Sequence, residues 1–425
     1  MSSPGRHGPR APRRLGSSTR AIRAASRLPR VDQTPTSVPI YQSVTFSTAD
    51  TDELADVTMG TRPGYSYSRL GNPTVTAVAD AFAELHDAEA GAAFATGMAA
   101  IHAVFLSQLK AGDRLVMGNV GYGQTRVQAQ NTFAKLGVRV DLVDTTDSDA
   151  VERALGQGPV RLLHVETIAN PTCVVSDIRA LAELAHRHGA LMSVDNTFAS
   201  PLNCQPLAVG ADLVLESATK YLGGHSDVMA GVVAGPLALI RPIRQVEVDT
   251  GATLAPLAAF LVLRGISTVA VRFDRQQATA AALAGWLERQ RGVQRVTSPA
   301  LPSHPQAEIV ARQLAGGGAM FSFDLEGGRP AGRAFIDALT IPERTASLGS
   351  VHTMVVHPPT TSHRAFDEQA LADAGIRPGL LRVSIGLEDE PDLRDDFGQA
   401  LDAANAAAGR SDTTPAAEAL TAATR

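Results

Sequence analysis

The sequence predicts an α/β protein in which a largely parallel sheet carries helices on both faces and a smaller α+β region follows. Two observations lead to this prediction. From about residue 60, short apolar runs alternate with helical stretches, which is typical of a parallel sheet. From residue 292 onward, strands and helices are mixed without that alternation. The predicted strands of the first region are 92–95, 114–117, 138–143, 161–166, 191–195, 213–216 and 228–233.

The predicted helices separate these strands and continue beyond them. A long helical segment over 254–291, punctuated by Pro256 and Gly265, would link two domains. The other predicted helices are 125–136 and 177–188 in the first region and 332–339 and 392–404 in the second, where the predicted strands are 320–325 and 381–385. The pattern therefore predicts a large sheet domain followed by a smaller one.

The composition is that of a globular protein of 425 residues, 44% apolar and 19% charged, with a net charge of −5. No stretch approaches the roughly 18 consecutive apolar residues of a transmembrane helix. Cys173 and Cys204 have neither a metal-ligand spacing nor the pattern of a disulfide framework. We therefore expect no metal site and a reducing, cytoplasmic location.

The basic charge is concentrated at the N-terminus. Residues 1–31 contain eight Arg and no acid, so the rest of the chain carries −13. This arm is expected to be disordered. It is interpreted as a flexible tail; a transit peptide and an extension from an early start codon are the alternatives. The acidic body argues against a nucleic-acid-binding domain, and only the arm supports a nucleic-acid-associated factor.

Lysine is scarce: of 38 basic residues only Lys110, Lys135 and Lys220 are lysines. A lysine amine can act as a nucleophile, whereas an arginine stays charged and inert. Lys220 follows the predicted strand 213–216, and ligands of parallel sheets collect at the carboxyl ends of strands. Lys110 and Lys135 have the surroundings of solvated lysines. A structural loop lysine is an equally good interpretation of Lys220 on position alone.

Two further positions favour a phosphorylated ring cofactor. Asp195 ends a predicted strand, where it would either keep a ring nitrogen protonated or cap a turn. Gly97 and Met98 open a helix after strand 92–95, and the free N–H groups of a helix N-terminus bind phosphate. Neither a G-x-G-x-x-G nor a P-loop motif is present at this turn, so a single phosphate is the more modest hypothesis.

An aromatic and a cationic side chain complete the pattern. Tyr122 lies between two glycines, where its ring would stack on a cofactor or form an ordinary turn. Arg382 lies within an apolar strand and needs a partner, either a structural acid such as Glu388 or Asp389 or a substrate carboxylate. Together with a lysine, a phosphate cradle and an acid, these residues make up a pyridoxal-phosphate site.

The chain resembles the Cys/Met-metabolism family of pyridoxal-phosphate enzymes, which has the fold type I (aspartate aminotransferase-like) architecture. The resemblance covers residues 36–403. Its motifs are Tyr67-Ser-Arg-Leu-Gly-Asn-Pro-Thr74, Ala95-Thr-Gly-Met-Ala-Ala100, Glu166-Thr-Ile-Ala-Asn-Pro-Thr172, Val194-Asp-Asn-Thr-Phe198, Ser217-Ala-Thr-Lys-Tyr-Leu-Gly-Gly-His-Ser-Asp227, Leu263-Arg-Gly-Ile-Ser-Thr268 and Arg382-Val-Ser-Ile-Gly-Leu-Glu-Asp389.

The resemblance implies a role for each candidate residue. Lys220 would bind pyridoxal 5′-phosphate covalently, and Asp195 would pair with the ring nitrogen. Tyr122 would stack on the ring and transfer protons. The remaining contacts to the cofactor would come from Gly97, Met98, Ser217, Thr219 and Asn170, and those to the substrate α-carboxylate from Ser347 and Arg382.

The resemblance also implies shared sites and a domain division. Tyr67 and Arg69 would reach the cofactor phosphate of a neighbouring subunit, so the enzyme would be a homodimer or a homotetramer. The implied segments are a disordered arm 1–31, a partner-contacting segment 32–60, a cofactor-binding large domain 61–253, a small domain 254–408 and a disordered tail 409–425.

The family motifs leave two activities open, a carbon–sulfur γ-lyase and a transferase that performs γ-replacement on an acylated homoserine. Family members that handle cystathionine generally have Glu where this chain has Ala346 and Arg near its Val127. Methionine γ-lyases usually have Cys where it has Gln124. The expected function is γ-elimination on methionine, homocysteine or cystathionine, with the transferase as the alternative.

Overall fold

The computed structural model describes residues 18–19, 33–361, 364 and 367–411. The chain divides into a unit of residues 1–39 and a unit of residues 40–425, and the elements below belong to the second unit. The predicted arm lies outside the described residues apart from residues 18 and 19, as do residues 412–425 of the predicted tail. The implied domain boundaries stay predictions.

The larger sheet has seven strands within the described residues. They are β1 (Ala90–Phe94), β2 (Arg114–Gly118), β3 (Arg139–Val143), β4 (Leu162–Glu166), β5 (Leu191–Asp195), β6 (Leu213–Glu216) and β7 (Gly231–Gly235), in the order β1-β7-β6-β5-β4-β2-β3. The five strands from β6 to β3 pair in parallel, and β7 pairs antiparallel with both β6 and β1. The largely parallel sheet that the sequence predicts is confirmed.

Helices connect and cover these strands. They are α1 (Thr51–Met59), α2 (Pro73–Leu85), α3 (Gly97–Gln108), α4 (Gly123–Val127), α5 (Ser148–Gly156), α6 (Ile178–Arg187), α7 (Ser200–Asn203), α8 (Leu237–Thr250), α9 (Pro256–Ile266) and α10 (Val269–Leu287). Several begin at a side chain that satisfies a free N–H group of the first turn: Asn72 caps α2, Thr96 caps α3 and Asp177 caps α6.

A second, four-stranded antiparallel sheet follows α10. Its strands are β8 (Val293–Thr297), β9 (Met320–Leu325), β10 (Met354–Val356) and β11 (Leu380–Ser384), in the order β10-β11-β9-β8. The helices of this region are α11 (Ala307–Gln313), α12 (Gly328–Ala338), α13 (Glu368–Asp373) and α14 (Glu390–Ser411). Its core contains buried, mutually packed rings of Phe323, Phe335 and Phe397.

Several predicted bounds differ from the observed ones. The helix predicted over 125–136 is α4 followed by a π-helical turn, Gln128–Phe133. The last helix continues to Ser411, so residues 409–411 of the predicted tail are helical. β8 was not predicted because Gln294 and Arg295 interrupt its apolar run.

No single helix among the described residues is long and apolar enough to cross a membrane. α9 and α10 meet the length and composition criteria only when they are taken together, and the pair is bent by 59°.

The loop after β6, which carries Lys220, is held against α9 by a close backbone approach. A Cβ atom built on Gly265 would lie 2.3 Å from the carbonyl oxygens of both Leu222 and Gly223. The buried Arg272 of α10 reinforces the contact, because its Nη2 donates to the Tyr221 and Gly265 carbonyls at 2.9 and 2.8 Å. The residues around Gly265 therefore hold the loop that carries Lys220 in place.

We predict that Gly265→Ala destabilises the protein by about 1–3 kcal/mol, since two backbone carbonyls must move to accept the methyl group. Thermal or urea unfolding measures the change. The matched control is Gly398→Ala in α14, where a Cβ meets nothing within 4 Å. Alanine is the better helix former by about 0.5–1 kcal/mol, so the control should be as stable as the parent or more so. Equal stability of both variants would contradict the close approach.

Candidate active site

Three carboxylates lie side by side at the carboxyl edge of the larger sheet. Glu166, Asp195 and Glu216 are the last residues of β4, β5 and β6, three adjacent parallel strands. The strand register pairs Glu166 directly with Asp195. Parallel strands bring their carboxyl ends to one edge, which explains why residues so distant in sequence meet there.

Asp195 caps a turn, which is one of the two interpretations that its position allows; the pairing with a ring nitrogen stays a prediction. Its Oδ1 accepts from the Thr197 N–H at 2.9 Å, so it caps the turn after β5. Burial raises the pKa of Asp195, and the hydrogen bonds from Thr197 oppose that shift. Thr197 also accepts from the Ser217 N–H at 2.9 Å. The Asp195 turn and the loop that carries Lys220 are therefore joined directly.

The Lys220 amine lies in a largely buried, cationic environment. Its Nζ donates to Ser347 Oγ at 2.7 Å. Burial, together with the charge of Arg382, lowers the pKa of Lys220 to about 8. Ser347 has a φ of 107°, a conformation rare for a residue with a side chain. An amine with this pKa is partly neutral, and hence nucleophilic, near neutral pH.

Arg382 connects the lysine to the opposite side of the site. It is 7% exposed in the centre of the smaller sheet, and its Nη1 donates to Asn170 Oδ1 at 3.0 Å. Its Nη2 donates to the Ser347 carbonyl at 2.7 Å, while its Nε has no hydrogen-bond partner among the described residues. A buried, unpaired donor of this kind is suited to an anionic ligand.

The acids proposed from sequence as structural partners of Arg382 are wrong. Glu388 accepts from both the N–H and the hydroxyl of Thr353. Asp389 pairs with Arg275 at 2.8 Å. Both acids are therefore occupied elsewhere, which leaves Asn170 and Ser347 as the observed partners of Arg382.

Of the predicted phosphate-binding residues, Gly97 and Ser217 meet at the start of α3. A Cβ on Gly97 would lie 2.8 Å from Ser217 Cβ, so only glycine permits this approach. Thr219 Oγ1 is hydrogen-bonded to the backbone N–H and C=O of Ala230 at 3.0 and 3.2 Å. Met98 is partly buried against the core beneath the sheet. A phosphate requires N–H groups of a helix N-terminus and nearby hydroxyls, and this role stays a prediction for these residues.

Two cavities flank these residues. Tyr122, whose side chain is 43% exposed, lines one of them together with Asn170, Glu166 and Arg126. The other has a volume of about 680 Å³ and borders Thr219 and Ser347; its further walls are Ser226, Asp227, Val228, Met229, Glu343, Thr345, Ala346, His352 and Met354.

Tyr67 and Arg69 have contacts separate from those of Lys220. Arg69 Nη1 donates to the Val248 carbonyl at 3.0 Å, and its guanidinium lies 5.7 Å from the centre of the Tyr67 ring. Tyr67 itself is 41% exposed. Within the described residues, no group of three or more His, Cys, Asp or Glu side chains is arranged to hold a metal ion.

Comparisons with known proteins decide the family. Residues 18–402 match the model of the Cys/Met metabolism PLP-dependent enzymes. The chain belongs to this family.

Its relatives carry different activities. The chain is 40% identical over 367 residues to L-methionine gamma-lyase of Pseudomonas putida, which covers 86% of this chain and 92% of that enzyme. It is 42% identical over 342 residues to O-succinylhomoserine sulfhydrylase of Pseudomonas aeruginosa, covering 80% and 85%. Cystathionine gamma synthase of Xanthomonas oryzae superposes with a TM-score of 0.82 at 39% identity, covering 87% and 94%. The chain is thus a PLP-dependent enzyme of cysteine and methionine metabolism.

The described residues fit pyridoxal phosphate, the cofactor of this family. The cofactor requires an amine for its aldehyde, donors for its phosphate and an acid for its ring nitrogen. Lys220 provides an amine with a lowered pKa, and Asp195 provides the acid. Gly97 begins the helix whose N–H groups are the predicted phosphate donors, and its backbone lies directly against Ser217.

Sequence reasoning assigned no role to Glu166 or Thr197, although both lie in the quoted motifs. Glu166 ends β4 as Asp195 ends β5, and this shared position was the available signal. Thr197 gave no signal of its own, because its bond to Ser217 joins two loops 20 residues apart.

We predict that the cofactor-free enzyme takes up pyridoxal phosphate covalently at a rate that rises about tenfold per pH unit and levels off above about pH 8. Only the neutral amine attacks an aldehyde, and the pKa of Lys220 is lowered to about 8. Stopped-flow absorbance measures this rate. Lys220→Arg should show no covalent uptake. A rate that keeps rising to about pH 10, the range of an ordinary lysine, would contradict the buried environment.

Proposed function

We propose that this enzyme is a carbon–sulfur lyase that eliminates the γ-substituent of methionine, homocysteine or cystathionine-type amino acids. The observation that carries the proposal is the Lys220 amine, hydrogen-bonded to Ser347 and close to Arg382. It places a titratable base beside a candidate receptor for a carboxylate. When bound, pyridoxal phosphate supplies the electron sink that stabilises negative charge at the substrate α-carbon.

Lys220 is the proposed base. With a pKa of about 8, its Nζ is able to take the proton from the α-carbon and to return it at a neighbouring carbon. Arg382 and Ser347 are the proposed carboxylate ligands, because the Ser347 hydroxyl accepts from the amine, the Ser347 carbonyl accepts from Arg382, and the Arg382 Nε has no partner among the described residues. They would orient the substrate so that its α-proton faces Lys220.

The remaining residues hold the cofactor in this proposal. Asp195 would keep the proton on the ring nitrogen, which would maintain the ring as an electron acceptor. Tyr122 would stack on the ring and donate a proton to the departing sulfur. The phosphate would be held by Gly97, Met98, Ser217 and Thr219, and Asn170, which accepts from Arg382, would be a further cofactor contact.

The wall of the larger cavity supports elimination from a thioether. Val228, Met229, Ala346 and Met354 give this wall an apolar part. Ala346 precedes Ser347 directly, at the position where a longer acidic side chain is expected in cystathionine-handling relatives. A small apolar residue there leaves room for an uncharged substrate end such as the methylthio group of methionine.

A second candidate function is γ-replacement on an O-acylated homoserine, and Arg126 favours it. This arginine lines the cavity of Tyr122 and Asn170, where its guanidinium would suit the distal carboxylate of a succinyl ester. Arg126 directly follows Thr125 and precedes Val127, the position near which cystathionine-handling family members generally have Arg. Both functions share the residues around Lys220 and differ in the cavity walls.

The proposed enzyme is a homodimer, or a pair of such dimers, with sites shared between subunits. The Arg69 guanidinium contacts the Tyr67 ring and the Val248 carbonyl, and neither of these contacts involves Lys220. Their location supports the implied role at a neighbouring subunit's phosphate. A cytoplasmic location remains a prediction.

A substrate panel tests elimination against replacement. We expect L-methionine, L-homocysteine or L-cystathionine alone to release a 2-oxo acid and ammonia, measured by 2-oxo acid and thiol assays. If an acylated homoserine reacts with a thiol at least about tenfold faster than any elimination proceeds, the transferase is the function. Arg126→Ala should then raise KM for the succinyl ester, whereas it should leave methionine elimination unchanged. The matched control is Arg153→Ala, whose side chain is 68% exposed.

A subunit-mixing experiment tests the shared site. We expect Lys220→Ala and Arg69→Ala each to be nearly inactive alone. Refolded mixtures should recover up to about a quarter of the parental activity per site, because some mixed dimers pair an intact lysine with an intact arginine across the interface. Activity that stays at the level of the separate variants would contradict a site built from two subunits.

A further inference from the structure

Among the three carboxylates that end β4, β5 and β6, Glu166 is the one that accepts hydrogen bonds from two separate backbone segments. Its Oε1 accepts from the Tyr122 N–H at 2.5 Å, and its Oε2 accepts from the Asn170 N–H at 2.9 Å. Tyr122 directly precedes α4, and Asn170 lies in the loop after β4. We propose that Glu166 is a positioning residue that fixes the distance between Tyr122 and Asn170 across the active site.

The fit around Glu166 is tight on the side of Tyr122. A Cβ built on Gly121 would lie 2.8 Å from Glu166 Oε1. The backbone before Tyr122 therefore approaches the carboxylate as closely as only glycine permits. The Tyr122 side chain makes no capping hydrogen bond at the start of α4. The backbone N–H of Tyr122 itself is satisfied by Glu166, which holds the backbone at the residue that carries the ring.

The other oxygen of Glu166 leads to the lysine through a continuous series of hydrogen bonds. Asn170, held by its backbone N–H, uses its side-chain oxygen to accept from Arg382. Arg382 donates to the Ser347 carbonyl, and the Ser347 hydroxyl accepts from Lys220. Glu166 is thus hydrogen-bonded both to Tyr122, the proposed proton donor, and to Asn170, which contacts the proposed carboxylate ligand Arg382.

The electrostatic surroundings make a carboxylate costly at this position. Burial and the facing Asp195 raise the pKa of Glu166 to about 8, against the lowering effect of the two N–H groups. An apolar side chain would avoid that cost, yet it could accept neither hydrogen bond. The two backbone contacts are therefore the physical reason for an acid here, and they point to positioning.

This inference rests on the proposed roles of Tyr122, Arg382 and Lys220. Two variants disturb the same contact from opposite sides. Glu166→Gln retains one acceptor and turns an amide N–H₂ toward a backbone N–H. Gly121→Ala keeps the carboxyl group of Glu166 and pushes a methyl group against Oε1. Glu183→Gln, an exposed acid on α6, is the matched control.

We expect both variants to lower kcat for 2-oxo acid release by about 10²-fold with a smaller change in KM, since a displacement of about 1 Å costs this much. In the cofactor-free protein, hydrogen exchange at the Tyr122 and Asn170 amides should accelerate, while the thermal midpoint stays near that of the control. The visible circular dichroism of the loaded enzyme should change as the Tyr122 ring shifts.

Two outcomes separate this inference from the proposed function. If the amides exchange faster but kcat stays within about twofold of the parent, Glu166 is only structural and the inference is overturned. If Lys220→Ala still releases the 2-oxo acid at the parental rate, the proposed function itself is wrong. Should Glu166→Gln fail to fold, Gly121→Ala decides by the same measurements, because its carboxylate is intact.

Discussion

The structure depends on keeping one lysine amine buried next to an arginine. Lys220 and Arg382 are both cations, and the nearby guanidinium disfavours the charged amine, as burial also does. Ser347 stands between them: its hydroxyl accepts from the lysine and its carbonyl accepts from the arginine. The two elements that deliver these cations, the loop after β6 and strand β11, belong to different sheets. The pKa of the amine therefore depends on how the loop after β6 packs against the smaller sheet. The close contact at Gly265 helps to hold that loop in place.

Glu166, Asp195 and Glu216 form a row of carboxylates at the ends of β4, β5 and β6, and burial raises the pKa of each. Glu216 lies 3.4 Å from His86 and accepts from Asn196, which ties it into the core. Burial raises the pKa of Glu216, and the partnership with His86 opposes the shift. Asp195 is thus flanked by two acids that each have protein partners. Asp195 accepts from the Thr197 N–H, and its charge raises the pKa of both neighbouring acids.

The sequence predicted the strand ends better than the contacts between them. β5, β6 and β9 have the predicted bounds, because β5 and β6 are mainly apolar runs that end at an acid and β9 alternates apolar with polar residues. Lys220, Asp195 and Arg382 were predicted because charged residues in apolar surroundings require a reason. The role of Glu166 was not, since its two bonds span 44 and 4 residues and involve backbone N–H groups that no residue pattern reveals. The partners of Arg382 were wrong for the same reason, as Asn170 lies 212 residues away.

The three lysines of this chain differ in whether an arginine could replace them. Lys110 and Lys135 are exposed, and an arginine would serve as well at either position. At Lys220 it would not, because a guanidinium stays protonated and does not react with an aldehyde. The chain is 40% identical to a lyase and 42% identical to a sulfhydrylase, and both candidate functions of this chain would begin by removing the α-proton. What separates them is how the site treats the γ-substituent after that step. The answer is therefore expected in the cavity walls, at Arg126 and Ala346, rather than among the residues that contact the lysine.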